Sequence, residues 1–466
     1  MSTVHRFERH RLEFVFVTAL STITTMTAAF AQTPVSPTPS PAPTRPSPSP
    51  VNRERWSIHA QTTNLQQYHG AFPAAYSGPE SLSSTADTAK TFDATLFLGA
   101  RLWNGAEAYV NPEIDQGFGL NGTFGVAGFP SGEAYKVGAS KPYGRLQRYF
   151  LRQTFNSGGE SQTVDAGTNQ LAGAEDTRHL TLTFGKFSVV DIFDNNSYAH
   201  DPRNDFMNWS ILDMGAFDYA ADAWGYTRGF SAESTRERSA LRAGIFQLST
   251  VPNTTQIDPH FLQQFSPVLE YERSTSLFGG HPGKVRVLGY GDYGYMAPLA
   301  DATDAAAGTG KPPDLSLFRT DKHWKLGGGV NIEQEIAPHI GAFVRLSAQN
   351  GSYETFDFTE IDRSLSGGFS LDGKLWKRAN DTFGIAGVVN GLSLPHQNFL
   401  AADGMGILIG DGALSYAAEN ILETYYRAGI GSHASITADY QYIANPAYNA
   451  ARGPVSIISV RLHAER

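Results

Sequence analysis

The chain has no cysteine among its 466 residues, which removes disulfides, thiolate metal centres and thiol nucleophiles together. It has no basic excess: 36 Lys and Arg stand against 45 Asp and Glu, a formal net charge of −9, and no basic stripe marks a nucleic-acid-binding face. Long apolar runs are missing too. Mean hydropathy is −0.28, and the apolar run 14–20 gives way to Ser21, Thr22, Thr24 and Thr25, well short of the ~18 residues that a spanning helix needs. Neither HExxH nor GxSxG occurs, and His59, His69, His179, His200 and His323 are scattered without ligand spacing. Zinc and serine chemistry therefore have no motif to stand on, and no cofactor or metal is expected.

What is present leans to β structure. The 47 Gly, 29 Phe and 20 Tyr suit many strands with aromatic girdles. A small secreted domain without cysteine would lack staples, whereas a closed barrel is held by an uninterrupted hydrogen-bond ladder. Residues 1–31 combine Arg6, Arg9 and Arg11, a short apolar run and Ala29-Phe30-Ala31, the pattern of a secretory signal peptide, with cleavage expected after Ala31. Residues 32–54 are a Pro-rich linker, expected to be a polyproline II or disordered periplasmic tail. Residues 55–466 are the expected barrel.

From residue 56 onward apolar residues alternate at period two. In 91–103, Phe92, Ala94, Leu96, Leu98, Ala100 and Leu102 share one face, and Asp93, Thr95 and Arg101 share the other, with Phe97 as an exception. In 340–349, Ile340, Ala342, Val344, Leu346 and Ala348 oppose Phe343, Arg345, Ser347 and Gln349. Sixteen such runs can be counted, at 55–66, 91–103, 105–113, 145–156, 177–188, 223–233, 238–249, 264–277, 283–296, 322–335, 339–350, 363–376, 380–392, 420–431, 433–444 and 453–464. Their connections alternate short and long, as in an all-β, sixteen-stranded antiparallel transmembrane β-barrel with short periplasmic turns and long outer loops. One joint, 157–176, should be a short turn and is not. Sixteen strands enclose a lumen too wide for side chains to fill, so it holds water and the apolar face turns outward to lipid. That places Arg101, Glu107, Tyr109, Arg242, Arg286 and Arg345 on the inner face. The four arginines are expected to meet water and to set ion selectivity with little effect on stability.

The stretch 185–210 reads GKFSVVDIFDNNSYAHDPRNDFMNWS. Its Asp191, Asp194, Asn195, Asn196, His200, Asp201, Arg203, Asp205, Asn208 and Trp209 cannot be buried without partners. It opens a segment, 191–222, longer than the ~15 residues beyond which a loop is usually functional or disordered. We expect this segment to fold into or over the lumen and set its narrowest section, and Trp209, Tyr219, Phe206 and Tyr198 either to stack on sugar rings or to pack the loop on the wall.

These residues resemble the carbohydrate-selective outer-membrane porins of the OprB family, in which GKF is followed by DxFDxNxYAHDPRxxFxNW. The blocks GFPSGEAYKVG at 128–138, FLRQTF at 150–155 and QYIANPAYNAARGPV at 441–455 look like the same family. The resemblance spans nearly all of the chain from residue 56. It implies a passive channel, not an enzyme, in the outer membrane of a Gram-negative bacterium, with mono- or oligosaccharides in transit, lipid and lipopolysaccharide around it, assembly machinery as a partner, and a monomer or homotrimer as the unit. Two rivals stay open: a general diffusion porin, and a secreted carbohydrate-binding or hydrolytic protein using Asp191 with Asp194, or Asp201 with Asp205, as its carboxylate pair. The last strand ends on Arg466, where such barrels usually carry an aromatic residue. The guanidinium can snorkel to water, so recognition by the assembly machinery, rather than stability, is the expected weak point.

Overall fold

In the computed structural model, residues 53–134 and 138–466 are described; the expected signal peptide and residues 32–52 of the linker lie outside them. The alternating runs form antiparallel strands: β1 (Trp56–His69), β2 (Asp87–Trp103), β3 (Ala106–Phe118), β4 (Ala139–Asn156), β5 (Ser161–Val164), β6 (Gly173–Asp176), β7 (Arg178–Phe187), β8 (Thr227–Arg236), β9 (Ser239–Gln247), β10 (Phe265–Leu277), β11 (His281–Tyr295), β12 (Lys322–Ala337), β13 (Ile340–Gln349), β14 (Arg363–Asp372), β15 (Thr382–Gly391), β16 (Glu419–Ile430), β17 (Ala434–Ala444) and β18 (Val455–Glu465). Sixteen of these close into a barrel in chain order, while β5 and β6 pair apart as a hairpin. Closure joins β1 to β18, with Gln61 opposite Glu465 and Ala60 exchanging both backbone hydrogen bonds with Arg466. No helix of the described residues is long and apolar enough to cross a membrane; the crossing is made by strands.

The burial pattern is inverted relative to a soluble protein. Leu269 is 54% exposed and its neighbour Glu270 is 0% exposed; Val287, Val344, Leu346 and Leu365 are exposed, whereas Arg286, Arg345 and Ser366 are buried. Apolar side chains thus point outward to lipid and polar ones inward. The buried apolar clusters lie largely where loops fold into the lumen, gathering Phe193, Trp209, Phe217, Phe356, Phe358, Leu400 and Leu408.

The expected strand boundaries shift in a few places. β3 runs on to Phe118, β8 begins only at Thr227, and Gly373–Trp376 is a 3-10 turn rather than the end of β14. The tight rim, shared by the described chain ends, carries the turns after β2, β8, β10, β12, β14 and β16, and the exceptional joint after β4 holds the β5–β6 hairpin.

Loops on the opposite rim pack on one another through buried charge. The helix Leu394–Ala401 is capped by Ser393 Oγ, which accepts from His396 N. His396 Nδ1 lies 3.1 Å from Asp362 Oδ2 and Nε2 lies 3.8 Å from Glu360 Oε1, while Glu360 Oε2 also accepts from the Leu408 and Ile409 amides at 2.7 and 2.8 Å. Burial opposes the imidazolium, but Asp362 and Glu360 outweigh it and raise the His396 pKa to about 9; burial likewise works against Asp362, and His396 outweighs it, lowering Asp362 to about 2. A histidine raised above its unfolded value contributes stability that is full below pH ~6.5 and is lost as pH rises through about 9; Asp362 contributes above pH ~4 and loses that contribution as pH falls through about 2. The histidine contribution is on the order of 3 kcal/mol. Glu80, pushed up to about 8 by burial and by Glu360, adds a loss in the same direction as pH rises. The thermal midpoint of the detergent-solubilised barrel is therefore expected to fall by a few degrees between pH 6.5 and 9.5. In His396→Gln most of that fall should vanish; an equal fall in both proteins would refute the assignment.

Candidate functional site

The loop 188–226 leaves β7 and crosses the lumen to the far wall. It has no strand partner, so its backbone amides need acceptors, and wall carboxylates supply them. Asp194 N donates to Glu270 at 2.8 Å, Ser197 N to Glu333 at 2.7 Å, and Met207 N and Asn208 N to the two oxygens of Glu423 at 2.5 and 3.0 Å. Charge-assisted bonds of this kind are stronger than neutral ones. On the loop itself, the Asp218 carboxylate accepts from Lys325 Nζ at 2.9 Å and from the amides of Phe356, Asp357 and Phe358 at 2.7, 3.0 and 2.8 Å. At the last strand, Arg461 donates to Asp205 O at 3.0 Å.

The polar residues expected from the sequence separate into two groups. Asp194, Asn196 and Asn208 are buried and anchor the loop. Asp194 accepts from Met214 N, Asn331 Nδ2 and Arg345 Nε at 2.6, 2.6 and 3.2 Å; Asn196 donates to Asn331 at 2.7 Å and Asn208 to Gln441 at 3.0 Å. The second group, Asp191, Asn195, His200, Asp201 and Arg203, lines a cavity of about 560 Å³ left between loop and wall. Asp191 pairs both oxygens with Arg148 at 2.6 and 2.7 Å. Arg203 faces Glu133, Asp93 and Glu113 at 3.3, 3.5 and 3.8 Å. Burial disfavours charge on His200, but the hydrogen bond and charge of Asp213, 3.3 Å away, raise its pKa above the ordinary value. Asp205 accepts from Asp201 N at 3.3 Å, and burial together with the Asp201 charge pushes it up to about 6.

The four arginines do point inward, but water is not the setting for two of them. Arg286 and Arg345 are each 1% exposed. Arg286 is paired with Glu272 and Glu333 at 2.8 and 3.1 Å, and Arg345 is spent on the loop. Arg242 is shared among Glu233, Glu270 and Glu272. Arg101 sits at the tight rim with Glu107, 3.1 Å away, and Glu107 accepts from the buried Tyr109 hydroxyl at 2.6 Å. The expectation that all four arginines meet water is therefore corrected for Arg286 and Arg345, and an ion left unpaired in a buried site is costly.

Among the aromatics, Phe206 packs against Phe343 and Tyr425, fixing the loop to the wall. Trp209 lines the cavity but is only 7% exposed, stacked on Phe129 at 5.0 Å with Phe358 at 5.4 Å. The half-buried ring in the cavity is Trp224, one position that the sequence reading passed over. Asp222 builds its turn by accepting from Trp224 N and Tyr226 N at 3.1 and 3.2 Å, with Gly225 at φ +99, a conformation that favours glycine. Trp224 Nε1 donates to Tyr143 at 3.3 Å and the Arg145 guanidinium covers its ring at 5.6 Å.

The sequence reading also missed Arg148 and Arg152, because β4 breaks its alternation. Pro112 on β3 cannot donate to the ladder, and there the register slips so that Asn111 faces Arg148 and Pro112 faces Leu146. Gln147 is the extra residue of the resulting bulge, which turns Gln147 and Arg148 inward together. Pro112 was the available signal.

Comparison with known proteins agrees with the barrel fold. Residues 80–465 match the family described as carbohydrate-selective porin, OprB family. The high-pH structure of Pseudomonas putida OprB resembles the chain with a TM-score of 0.65 at 13% identity, covering 88% of this chain and 94% of that one. The outer membrane channel DcaP of Acinetobacter baumannii (TM-score 0.47, 10% identity, 88% and 97% covered) and OccK2 (OpdF) of Pseudomonas aeruginosa (0.43, 12%, 88% and 97%) are looser likenesses. No curated protein sequence matches significantly. With the family match over most of its length and a closed barrel whose apolar face is outermost, the chain belongs to the carbohydrate-selective porins of the OprB family, outer-membrane channels for sugars.

Proposed function

We propose that a sugar ring in transit rests in the 560 Å³ cavity with Trp224 as its apolar platform and with Asp191, Asn195, His200, Asp201, Arg148 and Arg203 as its hydrogen-bonding rim. The observation that carries this reading is the adjacency of a half-buried indole and a ring of mutually paired charges. Paired charges need no counter-ion from the solute, so a neutral polyol can exchange water hydrogen bonds for wall hydrogen bonds without paying for an ion's desolvation. Binding of about 4 kcal/mol, in the millimolar range, lets the solute leave again. Hydrolysis has no place in the scheme, because Asp191 is held by Arg148, Asp194 is buried under Arg345, and Asp201 is occupied by Arg203 N and the Asn204 amide. Export by a signal cleaved after Ala31 goes with this reading.

In liposome swelling, glucose is expected to enter faster than an amino acid of similar size, with a disaccharide slower than glucose. Equal rates for glucose and the amino acid would instead support a general diffusion pore.

A further inference from the structure

The joint after β4 is the exception on the tight rim, and its length is put to use. Its hairpin closes at the tip through reciprocal backbone hydrogen bonds between Gly167 and Gln170, at 3.0 and 3.1 Å, with Asn169 at φ +56. The tip does not hang free of the barrel. Asn169 and Asn111 exchange amide hydrogen bonds at 2.9 and 3.1 Å, Arg152 donates to Asn169 O at 2.9 Å, and Leu171 N donates to the Tyr109 hydroxyl at 3.2 Å. Leu171 itself is buried with Tyr109 and Phe150. At the base, Ala172 O accepts from Arg101 at 3.2 Å and Ala172 N donates to Glu54 at 2.8 Å. The hairpin is thereby turned up from the rim into the lumen, and Thr168, Asn169 and Gln170 line the same cavity as loop 188–226, which reaches it from the other rim.

We infer that the 157–177 hairpin is a second constriction, in series with the outer loop, which sets the size limit at the exit toward the rim that holds the chain ends. A segment of this length costs closure entropy, and the part-buried Asn111–Asn169 pair and the buried Leu171 offset that cost by seating the tip. Asn169 is then a specificity-determining residue: its position fixes how much of the lumen the tip obstructs. The inference rests on the channel function but not on the Trp224 platform.

The cysteine-free chain makes the test direct. Thr168→Cys in the full-length protein, reconstituted in planar bilayers, should react with an anionic methanethiosulfonate reagent and lose roughly half of its conductance or more, as expected for charge and bulk added at a narrow section; the native protein should not respond. In a second variant, with residues 160–175 replaced by a Gly-Ser turn, conductance should rise by roughly twofold and disaccharide swelling should gain on glucose. Absence of labelling at Thr168→Cys, or labelling confirmed by mass with unchanged conductance, would overturn the inference, as would a shortened variant with native conductance and sugar ratios. Native protein that neither conducts nor swells with sugars would instead refute the channel reading.

Discussion

Arg345→Met is expected to unseat the loop 188–226 and raise single-channel conductance severalfold while the barrel stays closed. Arg345 gives Nη1 to Ile211 O at 2.8 Å, Nη2 to Ala199 O at 2.7 Å and to Asp194 O at 3.2 Å, and Nε to the Asp194 carboxylate at 3.2 Å. One side chain therefore ties three separate parts of the loop to β13. Methionine fills similar volume but leaves the Asp194 charge buried without its cation, which costs about 3–5 kcal/mol. The barrel ladder is untouched, since Arg345 pairs with Asn331 and Ser366 through its backbone. Adding Asp194→Asn removes the orphaned charge while keeping an oxygen for Met214 N, so the double variant should recover part of the native conductance and the two changes should be far from additive. Heat-modifiable mobility on gels reports the barrel; bilayer conductance reports the loop. Native conductance in Arg345→Met would show that the loop is held by its other anchors alone.

Trp224→Ala is expected to weaken block by saccharides roughly tenfold, about 1.4 kcal/mol, with only a small fall in the thermal midpoint. Trp224 is half-buried on the cavity, and what it loses inside the protein is one hydrogen bond to Tyr143 and the Arg145 contact, the latter worth about 0.5–1 kcal/mol at a partly exposed site. Trp209→Ala provides the contrast. Its ring is stacked on Phe129 and packed against Phe358, so truncation leaves a cavity in the packed loop and costs about 3–5 kcal/mol. The two variants should therefore separate, one in sugar block and the other in stability. Undiminished block in Trp224→Ala, measured as sugar-dependent closure of the ion current, would remove the platform from the proposed function.

Both predictions concern residues whose roles came from different places. Asp194 and Arg345 were both visible as polar residues in the sequence, yet they are 151 positions apart and nothing local connects them. Their pairing depends on the loop reaching β13 from β7. Trp209 stood out because it closes the family-like stretch, and Trp224 was passed over because it follows that stretch; only their exposure ranks them the other way. Phe97, the exception in the alternation of β2, is buried and lines the cavity, so a break in the pattern marked the lumen rather than an error of phase. The break at Pro112 did the same for Arg148.

Strand number, antiparallel order and the inside-outside assignment of residues such as Val344, Arg345 and Leu346 were determined by the sequence alone, because side chains alternate at period two and sixteen strands leave a lumen that must hold water. The constriction was decided only by tertiary structure. The loop 188–226 and the 157–177 hairpin have no such period to read, and their seats are formed by carboxylates and amides on strands far apart in the chain, Glu270, Asn331, Glu423 and Asn111. A buried backbone amide needs an acceptor within about 3 Å, and which acceptor that is follows from the closure of the barrel, not from any neighbour in sequence.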